Sequence, residues 1–263
     1  MLKILSDVFK RPVLVSLVLA AVLAGVLAGC GVKNPHPTGS YDRAVFFAEQ
    51  GKNIEAVAAL ESFVRHNPTD SLASEAQYLK AMTYLDMEEF PLAVVEFQIL
   101  RKDFPNSPRY EDAMFQEGVG YYNQVGKIQR DVTGAYEARL HFLQFSQEFP
   151  ASIHMPEVVQ YMQEISDLLV RKRLEQAKVF GQLKRPLAQV QVYEDMLENE
   201  AGSTYIPEVI MKRAQVALKL DDPDTAARMY ERLINEFPDS DLVKSAQRGL
   251  KKLDQEDEDE DDQ

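Results

Sequence analysis

The sequence predicts an all-α fold, an α-solenoid built from tandem helix pairs. Only 12 of the 263 residues are glycine, and few segments show the alternating β-branched pattern that is typical of strands. Four turn segments close an apolar helical pattern with proline and continue with Ser or Asp. They read VRHNPTDS (64–71), RKDFPNSP (101–108), SQEFPASI (146–153) and INEFPDSD (234–241). Because proline cannot continue a helix and Ser or Asp can cap the next one, each segment marks a helix boundary.

The segments between these turns repeat a pattern of small and large residues. Small residues let two helices approach closely, and large residues fill the space beside them. The positions are Ala44, Phe47, Ala56 and Leu60; Ala81, Tyr84, Ala93 and Phe97; Gly118, Tyr121, Ala138 and Phe142; and Ala214, Ala217, Ala226 and Tyr230, with a weaker unit through Ala177, Phe180 and Tyr193. This spacing resembles the tetratricopeptide repeat, which implies a right-handed solenoid of about five helix pairs over residues 41–250.

The third unit is longer than the others. Tyr121 and Ala138 are 17 residues apart, whereas the equivalent step in the first two units is nine. The difference places an eight-residue insertion within NQVGKIQRDVTG (123–134), between the two helices of the unit. Such a loop is either a neutral surface excursion or a partner contact, and the sequence favours neither.

The N-terminus has the layout of a bacterial secretory signal. Lys3, Lys10 and Arg11 are accompanied by one acid, Asp7, and residues 13–26 are almost entirely Val, Leu and Ala. An apolar segment of about 14 residues is short for a membrane-spanning helix, which needs about 20. We therefore expect residues 1–29 to be removed as a signal peptide.

Cys30, the only cysteine in the chain, follows this apolar segment. The tetrapeptide 27–30 (LAGC) resembles a bacterial lipobox, where a diacylglycerol is attached to the thiol and the chain is cut before it. The alternative is an ordinary signal peptide cut near this point, with the cysteine incidental. We expect Cys30 to be a lipid anchor and the mature N-terminus, with this covalent lipid as the only cofactor. By resemblance, Gly31 in place of aspartate favours sorting to the outer membrane, with the protein on its periplasmic face.

Charge and motif content exclude several classes of function. Removal of residues 1–29 leaves 26 basic against 41 acidic residues, a formal charge of about −15 that disfavours nucleic-acid binding. The histidines are scattered at His36, His66, His141 and His154, without metal-ligand spacing. The chain also lacks a Gly-rich phosphate loop and a nucleophile motif. We expect a protein that is not an enzyme and has no metal and no small-molecule substrate.

Two further segments flank the repeats. The linker VKNPHPTGS (32–40) predicts a short spacer between the lipid and the first repeat. The C-terminal DQEDEDEDDQ (254–263) carries eight acids in ten residues and nothing apolar to bury, so it predicts a disordered tail, either solubilising or binding a cation or a partner. The predicted organisation is a signal peptide (1–29), a lipidated linker (30–40), N-terminal repeats (41–153), C-terminal repeats (154–253) and the acidic tail (254–263).

A candidate peptide groove follows from the repeat register. First-helix residues that point away from the partner helix line the concave face of such a solenoid, and aromatic residues recur there at 37-residue intervals as Tyr41, Tyr78 and Phe115. The neighbouring positions are Val45, Met82 and Val119, then Ala48, Leu85 and Tyr122, with Glu49, Asp86 and Asn123 as a polar edge. An aromatic ladder along an apolar groove suits an extended or hairpin peptide. Alternatively, these aromatic residues only pack between neighbouring repeats.

The expanded third unit carries a more specific resemblance. Its segment QRDVTGAYEARLHFLQFSQEFPAS (129–152), with the pair Arg130-Asp131, resembles the BamD family, also called ComL, of the β-barrel assembly machinery. The segment DLLVRKRLEQAKVFGQLKRPLAQVQVYEDML (167–197) also resembles that family, with Glu175 and Phe180 in the expected places. Pro186 stands where members of the family usually have glycine.

The resemblance implies an outer-membrane scaffold subunit. It implies that the N-terminal repeats receive unfolded outer-membrane proteins and that the C-terminal repeats contact a BamA-like barrel protein. Unfolded barrel strands alternate apolar and polar residues and carry aromatic girdles, which suits the predicted groove. The alternative is a generic tetratricopeptide-repeat lipoprotein that scaffolds pilus or cell-wall components. Periodicity alone does not separate the two, and the third-unit expansion favours the first.

Overall fold

The computed structural model describes residues 33–125 and 132–261, with side chains described as far as residue 255. The predicted signal peptide, Cys30 and the pair Arg130-Asp131 lie outside the described residues. The helices are α1 (Tyr41–Glu49), α2 (Asn53–His66), α3 (Ala73–Asp86), α4 (Phe90–Asp103), α5 (Tyr110–Gln124), α6 (Thr133–Glu148), α7 (Met155–Gln182), α8 (Pro186–Asn199), α9 (Ile206–Lys219), α10 (Pro223–Glu236) and α11 (Val243–Asp261). In the described ranges there is no strand, and no helix is both long enough and apolar enough to cross a membrane.

The helices form five consecutive pairs, α1–α2 through α9–α10, and α11 packs on the last of them. The alanines at the small positions of the repeat pattern are completely buried at the pair interfaces, among them Ala44, Ala81, Ala138 and Ala226. Gly118 shows why this position stays small, since a Cβ atom there would lie 2.6 Å from Cε1 of Phe142. The fold class predicted from the repeats, an all-α solenoid of helix pairs, is confirmed.

In the first, second, fourth and fifth pairs, the turn between the two helices holds one residue in the left-handed region. Gly51 occupies it in the first pair with φ of 66°, which glycine adopts without steric cost. In the second, fourth and fifth pairs the residues are Glu88, Lys184 and Asp221, with φ between 53° and 59°. The fourth pair thus keeps the common turn although Pro186 follows it, because proline at the first helical position loses no hydrogen bond.

Helix α7 is the longest in the described chain, with 28 residues against 14 in each of its neighbours α8 and α9. The side chains of its first half, including Ile165, pack into the core of α5 and α6. Val170 and Ala177 of its second half pack instead with α8 and α9. The predicted boundary between residues 153 and 154 therefore falls where α7 begins, and α7 joins the cores on both sides.

Both flanking segments continue from the repeats or contact them. The backbone of α11 is helical to Asp261, so residues 254–261 of the predicted acidic tail continue this helix. Leu253 is buried against the last repeat, so the acidic residues continue a helix that is already anchored, and glutamate is a good helix former. At the other end, Asn34 and His36 of the linker pack beside α1.

Candidate functional site

The predicted aromatic ladder packs largely into the repeats. The ring centroid of Tyr41 lies 5.9 Å from that of Phe63, and Tyr78 lies 5.8 Å from Phe97, in each case the second helix of the same pair. Tyr41 and Tyr78 are only half-buried, and the guanidinium of Arg109 lies over the Tyr78 ring at 5.0 Å. These two tyrosines therefore contribute to the core and keep one accessible edge.

Phe115, the third member of the predicted ladder, belongs to the core. It is 3% exposed, because the imidazole of His154 stacks on its ring with centroids 4.3 Å apart and planes within 5°. His154 is held there by Asp112, whose Oδ1 lies 3.0 Å from its Nε2. The ladder consequently has two accessible members, and the start of α7 covers the third.

The other predicted groove residues are half-buried. Four of them pack against the hydrophobic core of either the second or the third pair. Met82 and Leu85 pack with Tyr78 against the second pair, whereas Val119 and Tyr122 pack against the third. Val45 is half-buried on α1. Of the eight candidates, seven are half-buried and Phe115 is buried.

A cavity of about 600 Å³ lies further along the chain. Tyr122, Asn123 and Val125 at the end of α5 form one wall. Glu164, Asp167, Leu168 and Arg171 of α7 form the other, and Tyr205, just before α9, closes one end. The cavity thus lies among the first helices of three successive pairs, of which only α5 carries predicted groove residues. Its volume is within the range of small-ligand and side-chain pockets.

Both acidic side chains of the cavity are engaged by neighbours. Tyr122 Oη donates to Glu164 Oε2 at 2.6 Å, and Gln160 Nε2 donates to Oε1 at 2.8 Å. Burial, followed by this bond to Glu164, raises the pKa of Tyr122 far above its usual range, so the hydroxyl stays a neutral donor. The carboxylate of Asp167 accepts from the Ser203 hydroxyl and from the Thr204 backbone and hydroxyl groups, at 2.7, 2.7 and 2.8 Å.

Arg171 is the cavity residue with an available charge. It is exposed and forms no hydrogen bond or ion pair with any other part of the described chain. The site therefore combines two tyrosine rings and Leu168 with one exposed guanidinium, which can bind a carboxylate in bidentate fashion. Tyr122 and Asn123 were predicted from the sequence, whereas Arg171, Asp167 and Tyr205 were not. The basic run RKR at 171–173 was the one signal that pointed to this part of α7.

A buried ion pair holds α7 in place behind the cavity. Arg139 of α6 donates through Nη2 to Glu200 Oε2 at 2.5 Å and through Nη1 to Oε1 at 3.1 Å. The same guanidinium donates to the Ser166 hydroxyl on α7 at 3.2 Å. The Glu200 side chain is 1% exposed, so its charge depends on Arg139 for compensation.

The arrangement offers binding groups and no metal centre. Within the described ranges, no three His, Cys, Asp or Glu side chains come together as metal ligands. His141, the most buried histidine of the described ranges, is bonded through Nε2 to the Met114 carbonyl oxygen at 2.8 Å. The cavity can therefore recognise an aromatic or apolar side chain together with an anionic group.

The chain is similar to two curated outer membrane protein assembly factors and to solved repeat proteins. It is 18% identical over 230 residues to the outer membrane protein assembly factor BamD of Caulobacter vibrioides, covering 84% of this chain and 75% of the relative. It is 23% identical over 203 residues to the BamD of Neisseria meningitidis serogroup B, covering 73% of this chain and 76% of that one. Among solved structures, a tetratricopeptide-repeat protein of Thermus thermophilus aligns with a TM-score of 0.32 and 19% identity, over 79% of this chain and 95% of that one.

The YfiO family, described as an outer membrane lipoprotein, matches residues 34–224, from the linker into the start of α10. The match covers four complete helix pairs, the expanded third unit and the whole cavity, and so it confirms the resemblance inferred from the third unit. On this match, which spans well over half of its length, the chain belongs to the YfiO family of outer membrane lipoproteins.

Proposed function

We propose that this protein is a lipid-anchored scaffold subunit of the outer-membrane β-barrel assembly machinery. The observation that carries the proposal is the YfiO family match, which runs through the helix pairs and the cavity. The names of the two relatives, both outer membrane protein assembly factors, support the same role. In this proposal the protein acts by binding, through the tyrosine rings and the guanidinium that line the cavity.

The cavity at α5 and α7 is the proposed contact for unfolded barrel substrates. Unfolded barrel strands are extended, alternate apolar and polar residues, and carry aromatic side chains near their ends. An aromatic side chain of such a strand can fill the space beside Tyr122 and Tyr205, while a nearby carboxylate meets Arg171. The accessible edges of Tyr41 and Tyr78 extend this contact along the N-terminal repeats.

The C-terminal repeats, 154–253, are the proposed contact for a BamA-like barrel protein, through their surface away from the α7 and Tyr205 side chains that line the cavity. Val179, Leu183 and Leu187 around the α7–α8 turn are apolar and more than half exposed, which supports a protein partner in this region. The experiment is an affinity pull-down of the lipidated protein from gently solubilised outer membranes, with the bound proteins identified by mass. A BamA-like protein recovered near one-to-one is the expected result. Pilus or cell-wall components recovered without it would overturn the proposal.

Lipid attachment at Cys30 is part of the same proposal. The lipobox-like residues 27–30 and the family description support it. Mass spectrometry of the mature N-terminal peptide should find a diacylglycerol on the Cys30 sulfur. The Cys30→Ser variant should lack that mass and leave the membrane fraction. An unmodified thiol in the wild-type protein would refute the anchor.

A further inference from the structure

The segment that joins Cys30 to Asn34, here called the tether, is short, because the chain contacts α1 from Asn34 onward. Asn34 Nδ2 donates to the Arg43 carbonyl oxygen at 2.9 Å, and Arg43 Nη1 donates to the His36 carbonyl oxygen at 3.1 Å. The His36 ring also meets Phe46 edge-on at 6.0 Å. Only residues 31–33 separate Cys30 from Asn34. Four Cα steps span at most about 14 Å.

This tether joins the fold at the first turn of α1. Asn34 donates to the carbonyl of Arg43, the third residue of that nine-residue helix. At 1.5 Å per residue, the turn at 50–52 lies about 10 Å further along the helix. Ile54, directly after that turn, is 73% exposed. Lys33 and Lys52 flank this region, and neither pairs with another residue that the structure describes.

The first helix pair also differs from the rest of the protein in charge. Residues 33–66 hold four Lys and Arg residues and four acids, a net charge of zero. The formal charge of about −15 expected for the mature chain therefore lies entirely beyond residue 66. Eight of these negative charges lie in the acidic tail (254–263) and a net of about seven in the later repeats. An anionic phospholipid surface therefore repels both and leaves the first pair free to approach.

We propose that the first helix pair lies against the phospholipid surface, with Ile54 at the bilayer interface. The inference rests on the lipid anchor proposed above and adds to it the face of the protein that meets the membrane. A tether of this length gives the turn a high effective concentration at the bilayer, so that one isoleucine and two lysines can form a lasting contact.

The absence of tryptophan from the sequence provides a direct test. Ile54→Trp places a single reporter at the proposed contact, and Leu187→Trp places one at an equally exposed site in the fourth pair, since both native side chains are 73% exposed. Both lipidated variants are reconstituted into phosphatidylethanolamine and phosphatidylglycerol vesicles, with and without brominated acyl chains. Brominated lipid should quench the Ile54→Trp emission at least twofold and leave that of Leu187→Trp unchanged. Equal quenching of both reporters, or none at Ile54→Trp, would overturn the inference.

Two controls keep the result interpretable. Gln50→Trp places a second reporter at an exposed position in the same turn. If Ile54→Trp disturbs the fold, the emission of Gln50→Trp must be quenched instead for the inference to hold. Lys52→Glu in the Ile54→Trp background should reduce the quenching, and unchanged quenching would count against the charge argument. The pull-down tests the function separately, since quenching without recovery of a BamA-like protein supports the membrane contact and refutes only the assembly role.

Discussion

Replacing Arg139 by methionine should destabilise the protein strongly, because it leaves the buried carboxylate of Glu200 without its cation. The Arg139 side chain is 18% exposed and that of Glu200 is 1% exposed, and the closest oxygen–nitrogen distance is 2.5 Å. Removing one partner of such a buried pair costs about 3–5 kcal/mol, because the remaining charge keeps its desolvation penalty. Methionine fills a similar volume, so the change in packing is small.

The assay is urea unfolding of the mature, non-lipidated Cys30→Ser protein, followed by circular dichroism at 222 nm. Arg65→Met is the matched control, because Arg65 and Glu61 form an exposed pair with side chains 65% and 54% accessible. That pair should contribute less than about 1 kcal/mol. The double variant Arg139→Met, Glu200→Met removes both charges and should recover most of the loss.

Two results would refute this reasoning. In the first, Arg139→Met costs no more than Arg65→Met, which would mean that Glu200 is compensated by other groups. In the second, the double variant is as unstable as the single variant, which would assign the loss to packing. A confirmed effect would identify the Arg139–Glu200 pair as the link that holds α6 and α7 to the end of α8, behind the cavity.

Three further predictions concern the repeats and the cavity. Gly118→Ala should lower the free energy of unfolding by about 1–3 kcal/mol, since its Cβ would lie 2.6 Å from Phe142 Cε1. The control Gly202→Ala should be near neutral, because a Cβ there meets nothing within 4 Å. Equal melting temperatures of the two variants would contradict this prediction. Burial lowers the pKa of His141 below its usual 6.5, so its stabilising contribution is present above about pH 6.5 and is lost as the pH falls. His141→Gln should therefore reduce the loss of stability between pH 7.5 and 5.5 in urea unfolding, and an unchanged loss would refute it. Arg171→Gln should weaken binding of an acidic, aromatic barrel-derived peptide about tenfold at unchanged melting temperature, because one charged hydrogen bond is lost. Lys178→Gln, on the same helix, is the control. Equal peptide affinities of the two variants would show that Arg171 is not part of the site.

The helix pairs were predictable because their determinants are local. Proline ends a helix because it has no backbone N–H to donate and its ring clashes with the carbonyl of the preceding turn. Alanine or glycine is required where two helices cross closely. The positions of Ala44, Ala81 and Ala138 therefore predicted the packing faces of their helices. Each of these alanines is completely buried. The third-unit expansion pointed in the same way to the family that the YfiO match confirms.

The groove was harder to predict, because the same register serves both a core and a surface. Phe115 repeats the spacing of Tyr41 and Tyr78, but the imidazole of His154, 39 residues later, stacks on it and removes it from the surface. Nothing in the local pattern at residue 115 indicates this contact. The sequence therefore predicted the lining of the cavity on α5, through Tyr122 and Asn123, and did not predict the lining on α7 or Tyr205.

By itself, the sequence determined the all-α repeat, the helix boundaries, the expanded third unit and the family. Only the tertiary structure decided which positions are accessible and which charges are compensated. Arg139 meets Glu200 across 61 residues, and the cavity is formed where α5, α7 and Tyr205 converge. Helix formation depends on neighbours three or four residues apart, whereas burial and charge pairing depend on chain segments that come together only when the repeats stack.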